Sequence, residues 1–162
     1  MMHTSKGFSL IELMIAIAIM VTLAGIGVPA FQNMVLNNRI VTTTNGLLGT
    51  LQLARSEAVT QRRQITVCPS NDQATCTADT EWEEGVLVLQ GATVIRLLPG
   101  ADTDVQVQSA SAQIAYDTSG RLTGAATALS VLDGRGAGTT SRIVCINLLG
   151  QASSIRGDQV CP

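Results

Sequence analysis

An uncharged apolar segment near the N-terminus limits the folds that this chain can adopt. Residues 13–32 contain no charged side chain, and about 20 apolar residues form a helix long enough to cross the hydrocarbon core of a bilayer. A short polar stretch with Lys6 as its fixed cation precedes the segment, as in a signal sequence or a signal anchor that keeps its N-terminus in the cytoplasm. The sequence therefore predicts either a membrane-spanning helix or a secretory peptide removed after Ala30.

One acidic residue favours the retained helix. Glu12 stands at the start of the apolar segment, where insertion of a carboxylate costs roughly 2.5–3.5 kcal/mol. A discarded signal peptide has no use for such a residue. Cleavage between Gly7 and Phe8 would create an α-ammonium close to Glu12 in sequence. In a staggered array of identical helices, the Glu12 carboxylate of one chain then neutralises the ammonium of a neighbour, so we expect Glu12 to serve assembly.

The residues around this carboxylate carry a family resemblance. Residues 6–13, Lys-Gly-Phe-Ser-Leu-Ile-Glu-Leu, resemble the class III signal of type IV prepilins and type II secretion pseudopilins. The resemblance implies that a prepilin peptidase cuts after Gly7 and methylates Phe8, and that Pro29 is the helix-kinking proline common in the family. It implies a cleaved leader at residues 1–7 and, at residues 8–31, a transmembrane helix that later enters the filament core.

The helical pattern continues beyond the apolar segment. Apolar or small residues recur at intervals of three and four, which is typical of one helical face: Ile40, Thr44, Leu47, Leu51, Ala54 and Ala58. We expect one helix from about residue 8 to residue 61, loosened near Pro29. Residues 32–62 form its amphipathic second half, which offers a face to a globular head.

Residues 63–162 read as a β-rich head. Breakers recur at intervals of about eight to twelve residues, which favours antiparallel sheets over βαβ units. The predicted strands are 65–68, 86–89, 93–98, 105–108, 113–116, 128–132, 142–146 and 152–155. The predicted fold class is α+β, with a long N-terminal helix packed on an antiparallel β-sandwich or two-sheet head.

The four cysteines all lie in the head. They lack Cys-x-x-Cys spacing, and the single histidine, His3, lies in the leader, so a zinc site has little support. An even number of cysteines on the exported side of a membrane anchor indicates disulfides. Three connectivities are possible in principle, and we favour the sequence-local pairs Cys68–Cys76 and Cys145–Cys161.

The composition leaves little material for catalysis. Charged residues make up 14% of the chain, and no nucleophile in the head has a histidine base. The glycine-rich residues 134–138 lack the Gly-Lys-Ser/Thr ending of a phosphate loop and precede a strand, so we interpret them as a hairpin loop. Residues 81–84, Glu-Trp-Glu-Glu, are interpreted as a solvated turn rather than a metal site. We expect no enzymatic activity, no cofactor and no metal.

A second resemblance narrows the family. Residues 51–59, Leu-Gln-Leu-Ala-Arg-Ser-Glu-Ala-Val, with Arg62, Arg63 and Val67-Cys68, resemble FimT/FimU-type minor pilins, whose GspH-like domain also occurs in a type II secretion pseudopilin. The resemblance implies a precursor in the bacterial inner membrane with a periplasmic head, and later a place in the pilus filament or at its tip. It implies a subunit that primes assembly by coupling other minor pilins to the major pilin, with the inner-membrane assembly platform as a further partner.

Two alternatives stay open. One is a minor pseudopilin of type II secretion. The other is a competence pilin, because family members of that type bind DNA through a Gly-Arg-x-Arg element. Here the corresponding residues 149–153 read Leu-Gly-Gln-Ala-Ser and lack both arginines. Arg142 and Arg156 are the remaining candidates for DNA contact near this turn, and Asp158 offsets their charge. The net charge of −2 also argues against a nucleic-acid partner.

Overall fold

The computed structural model describes residues 8–134 and 141–162. These residues form one helix and eight strands, with every predicted strand present to within one residue at each end. The fold-class prediction is confirmed. The elements are α1 (Leu10–Gln61), β1 (Ile65–Pro69), β2 (Gly85–Gln90), β3 (Thr93–Pro99), β4 (Val105–Ser109), β5 (Ile114–Tyr116), β6 (Thr127–Asp133), β7 (Arg142–Ile146) and β8 (Ala152–Arg156).

Two predictions concern residues outside this description. The cleavage point after Gly7 belongs to residues 1–7, and all but the first residue of the glycine-rich stretch 134–138 belongs to residues 135–140.

The strands form two antiparallel four-stranded sheets. Sheet A has the order β3-β2-β1-β5 and sheet B the order β4-β6-β7-β8. The predicted hairpins β2–β3 and β6–β7 both pair. The β2–β3 turn uses Gly91 with φ of 59°, a left-handed conformation that glycine adopts without steric cost.

The chain divides into two compact units, one ending at Val35 and the other comprising Leu36–Pro162. In the first unit, helix α1 extends up to Val35, and its large apolar side chains from Leu10 to Met34 are exposed. That part of the helix is long and apolar enough to cross a membrane, and none of its most apolar window is buried within the chain.

In the second unit, one face of α1 packs into the core. All six residues of the predicted helical face are buried, together with Leu36 and Thr50. Leu36 extends the face by one turn, and Thr50 widens it beside Leu51. The face packs against side chains from both sheets, among them Val67 and Val88 of sheet A and Val107, Leu129 and Val144 of sheet B.

Strand β2 is apolar on both sides because sheet A has a second cluster on its other face. Leu87 and Leu89 pack there with Cys68 and Leu97. The sequence of a strand that is covered on both faces is a continuous apolar run rather than an alternation of apolar and polar residues.

The interpretation of residues 81–84 as a solvated turn holds for the exposed Glu81 and Glu84 and is wrong for Trp82 and Glu83. Trp82 is 2% exposed, and its indole N–H donates to the Ser111 carbonyl at 3.3 Å. Its amide donates to the Val107 carbonyl at 2.7 Å, and the Glu83 carboxylate accepts from the Val107 amide at 3.1 Å. The segment covers the edge of β4, a role that its composition conceals. Among the described residues, no group of three or more candidate ligands is placed to hold a metal ion.

Candidate functional site

The start of α1 presents the two side chains to which the sequence assigns processing and assembly. Phe8 precedes the helix and is 76% exposed. Glu12 lies in the first turn, and its amide donates to the Ser9 carbonyl at 3.1 Å. A carboxylate in this position interacts favourably with the helix dipole. Both side chains are exposed within the single chain, so Glu12 is open to a partner on another chain.

The helix that follows offers an apolar surface with its one polar side chain satisfied internally. The large side chains between Leu13 and Phe31 are each more than half exposed. Thr22 donates its hydroxyl to the Ile19 carbonyl at 2.8 Å. Pro29 lies inside the helix and brings no N–H to its ladder. Such a surface fits lipid or other apolar helices, because it exposes no unpaired polar side chain.

Two arginines fix the second half of the helix to the head. Arg39 donates to the Asp104 carboxylate at 2.7 Å and lies 3.4 Å from that of Asp102. Arg55 donates its Nε–H to the Gly120 carbonyl at 3.0 Å. Sequence reasoning missed both hydrogen bonds, because their acceptors, Asp104 and Gly120, each lie 65 residues further along the chain.

Two residues of the stretch that carries the second resemblance, Arg55 and Ala58, thus have a packing role. Arg55 binds the Gly120 carbonyl and Ala58 is fully buried. A Cβ at Gly120 would lie 2.8 Å from the Val59 side chain, so the helix and the β5–β6 connection approach closely here.

Tyr116 lies in the core beside this contact. Its side chain is fully buried, and within the described residues its hydroxyl has no hydrogen-bond partner. Burial raises the pKa of Tyr116 to about 12, although the Arg55 charge acts in the opposite direction. The phenol is therefore neutral at physiological pH.

Both sequence-local disulfides are present. Cys68 joins Cys76 and closes a loop organised by Asp72, whose carboxylate accepts from the amides of Thr75 at 2.8 Å and Ala74 at 2.9 Å. These hydrogen bonds hold the pKa of Asp72 well below its usual range. Cys145 joins Cys161 and ties the C-terminal residues to β7.

The structure separates the two candidate DNA-contacting arginines from the turn with which the sequence associated them. Arg142 and Arg156 face each other across β7 and β8, whereas Gly150 lies in the turn at the other end of this hairpin. The five-residue strands put about 13 Å between these ends. The turn itself carries the exposed Leu148 and Leu149, which cannot bind phosphate. The expectation that the arginines lie near the turn is wrong.

Comparisons with known proteins agree with this fold. The family model described as type II transport protein GspH matches residues 43–150, more than half of the chain. The model of the prokaryotic N-terminal methylation motif matches residues 2–28. Among curated proteins, no sequence matches the chain significantly.

Solved structures with a similar fold include two crystal forms of the type IV minor pilin FimU of Pseudomonas aeruginosa. One has 22% identity and a TM-score of 0.59, over 72% of this chain and 87% of that one. The other has 21% identity and a TM-score of 0.58, over 70% and 90%. The minor pseudopilin EpsH of the type 2 secretion system of Vibrio cholerae has 12% identity and a TM-score of 0.56, over 75% and 99%. At these identities the likeness shows a shared fold.

Proposed function

Because the chain belongs to the GspH family of minor pilins and pseudopilins, we propose that it is a minor type IV pilin. In this role residues 1–7 are removed by prepilin peptidase after Gly7, Phe8 is methylated, and the helix anchors the precursor in the inner membrane with the head in the periplasm. The subunit then enters the pilus at or near its tip, where it couples other minor pilins to the major pilin. The role is structural rather than catalytic.

The observation that carries this proposal is the exposed apolar helix with one carboxylate in its first turn. An isolated carboxylate in an apolar environment is unfavourable unless a positive charge compensates it. The methylated α-ammonium of Phe8 on a neighbouring subunit supplies that charge once the leader is removed. The same helix can therefore leave the bilayer and pack among the helices of a filament.

The proposal is tested by removing this carboxylate. We expect Glu12→Ala to leave leader cleavage largely intact but to lower the amount of protein in sheared filaments by about tenfold, the equivalent of about 1.4 kcal/mol of interaction. Glu57→Ala is the matched control, since Glu57 lies on the same helix within the head unit. Wild-type levels of the Glu12→Ala variant in filaments would contradict the assembly role.

A second candidate is a minor pseudopilin of a type II secretion system. The match to the GspH family model and the fold shared with EpsH favour it. Deletion of the gene distinguishes the two. Loss of a minor pilin would change the number of pili and leave protein secretion unchanged, whereas loss of a pseudopilin would change secretion.

A further inference from the structure

The two sheets leave four edge strands, and the chain protects three of them. In β4 the alternation of the ladder turns the amides of Val105, Val107 and Ser109 outward. They donate to the Asp102 carbonyl at 2.8 Å, the Glu83 carboxylate at 3.1 Å and the Thr80 carbonyl at 2.9 Å, respectively. In β5 the outward Ala115 carbonyl accepts from the Thr123 amide at 2.9 Å. Segments of the same chain therefore cover both edges.

The edge of β3 is interrupted in a different way. Its pairing with β2 contains a register shift between Val88 and Leu89, and the strand ends at Pro99, which has no N–H to donate. Bulges and prolines are devices that stop further strands from pairing with an edge.

The edge of β8 is covered only at its end, where the Arg156 carbonyl accepts from the Gln159 amide at 3.1 Å. The bonds from the Asn147 amide to the Gln151 carbonyl at 3.1 Å and from the Gly157 amide to the Ser141 carbonyl at 3.0 Å fix the alternation of the β7–β8 ladder. Ser153 and Ile155 consequently bond to β7, while Ala152 and Ser154 turn their backbone groups outward. Within the described residues these outward groups have no partner.

The side chains along this edge present little bulk to an incoming strand. Its side chains are small at Ala152, Ser153 and Ser154. Ser153 also lines a groove of about 820 Å³ on the outer face of sheet B. Cys161, tied to Cys145, forms part of the groove lining, so the disulfide fixes the C-terminal residues beside this surface.

The positive charge at the end of this edge favours an acidic partner. Arg142 and Arg156 are directly opposite each other, and like charges in this arrangement are unfavourable. Within the described residues, Arg39 makes both of the salt bridges, and neither Arg142 nor Arg156 has a carboxylate partner. An acidic side chain on a strand added beside Arg156 would compensate both cations.

We infer that the free edge of β8 accepts an extended acidic segment of a neighbouring subunit by strand addition. Ala152 and Ser154 supply the backbone hydrogen bonds, and the Arg142–Arg156 pair binds a carboxylate of the incoming strand. The inference rests on the proposed function, which supplies the neighbouring subunits. A second copy fits less well, because the strand at its own unprotected edge, β8, carries Arg156 and no carboxylate. Duplex DNA also fits less well, since it would leave the outward amides without a role.

The backbone part of the inference is tested with Ser154→Pro. This substitution removes an outward N–H that has no partner within the described residues, and edge strands tolerate proline at such positions. We expect the melting temperature of the full chain in detergent micelles to stay unchanged. The amount of protein in sheared filaments, relative to the membrane fraction, should fall about fivefold, as for a lost hydrogen bond. Ser154→Ala, which keeps the amide, is the control and should assemble like the wild type.

Two substitutions test the role of the positive charge at the edge of β8. We expect Arg156→Glu to lower filament incorporation about threefold. Arg156→Lys, which keeps the charge, should be incorporated like the wild type. A photocrosslinker, p-benzoylphenylalanine, at position 153 should join the chain to an Asp- or Glu-containing segment of another pilin. The same group at position 106, on the covered β4 strand, should not. The crosslink reports on the edge even if Ser154→Pro lowers the melting temperature.

The variants and the crosslinks distinguish failure of the inference from failure of the proposed function. Wild-type incorporation of a stably folded Ser154→Pro variant, or no crosslink from position 153, overturns the inference. A loss with Arg156→Glu but none with Ser154→Pro also overturns it, since a purely electrostatic ligand such as DNA then accounts for the arginines. A crosslink to a second copy of this chain overturns the assignment of the partner. Absence of the wild-type protein from filaments refutes the proposed function instead.

Discussion

The buried phenol of Tyr116 makes the stability of the folded chain depend on pH under alkaline conditions. Its pKa is raised from the ordinary 10.0 to about 12, so the folded chain holds this proton more tightly than the unfolded chain. The associated stability is fully present below pH 10 and is lost as pH rises through about 12. We expect the free energy of unfolding to fall by about 2 kcal/mol over this interval, as measured by denaturation of the full chain in detergent.

Tyr116→Phe should remove this alkaline step. Because the hydroxyl has no partner within the described residues, its loss leaves no other polar group unpaired, and stability at pH 7 should stay equal or rise. A variant that keeps the same decline between pH 10 and 12 would show that another group causes it. The sequence predicted Tyr116 in a strand but not the isolation of its hydroxyl, which depends on side chains from distant segments.

At the scale of elements, two turn glycines distinguish the effect of backbone conformation on stability from the effect of close packing. Gly91 and Gly150 both have positive φ, 59° and 74°. A Cβ at Gly91 meets nothing within 4 Å, whereas one at Gly150 would lie 2.1 Å from the Gly120 carbonyl oxygen. We expect Gly91→Ala to cost about 1 kcal/mol of stability. Gly150→Ala should cost at least about 2 kcal/mol more, because the β7–β8 turn must move away from Gly120.

Thermal unfolding of the two variants side by side measures this difference. Equal losses would mean that the contact between the turns does not constrain the fold.

The sequence predicted the strands because alternation and breakers are local signals, and it predicted the helical face for the same reason. It did not predict the strand order, since pairing of β1 with β5 depends on long-range packing. The edge cover by Trp82 and Glu83 was missed because a run of acidic residues resembles a solvated turn.

At the scale of the whole molecule, the division at Val35 predicts an independently folding head. Every buried residue of the described chain lies at or beyond Leu36, and both disulfides and both salt bridges of Arg39 lie in Leu36–Pro162. We expect residues 36–162 to form a soluble folded domain with a cooperative thermal transition. Its melting temperature should lie within about 4 °C of that of the head in the full chain, which corresponds to less than about 1 kcal/mol. Aggregation or a non-cooperative transition would show that the head needs the apolar helix.

The proposed assembly site is a prediction from the sequence, and its partner lies outside the single chain. Residues 6–13 predict processing and assembly because a carboxylate beside an apolar helix needs a partner, and the partner that we propose is on another subunit. The free edge of β8, in contrast, emerges only from the sheet order and register, which the sequence did not predict.

Mass spectrometry of the N-terminal peptide from purified filaments tests whether the chain is processed and assembled as a pilin. We expect a mature chain that begins at N-methylated Phe8 and retains Glu12. A chain that begins after Ala30, recovered as a free periplasmic protein and missing from filaments, would contradict it.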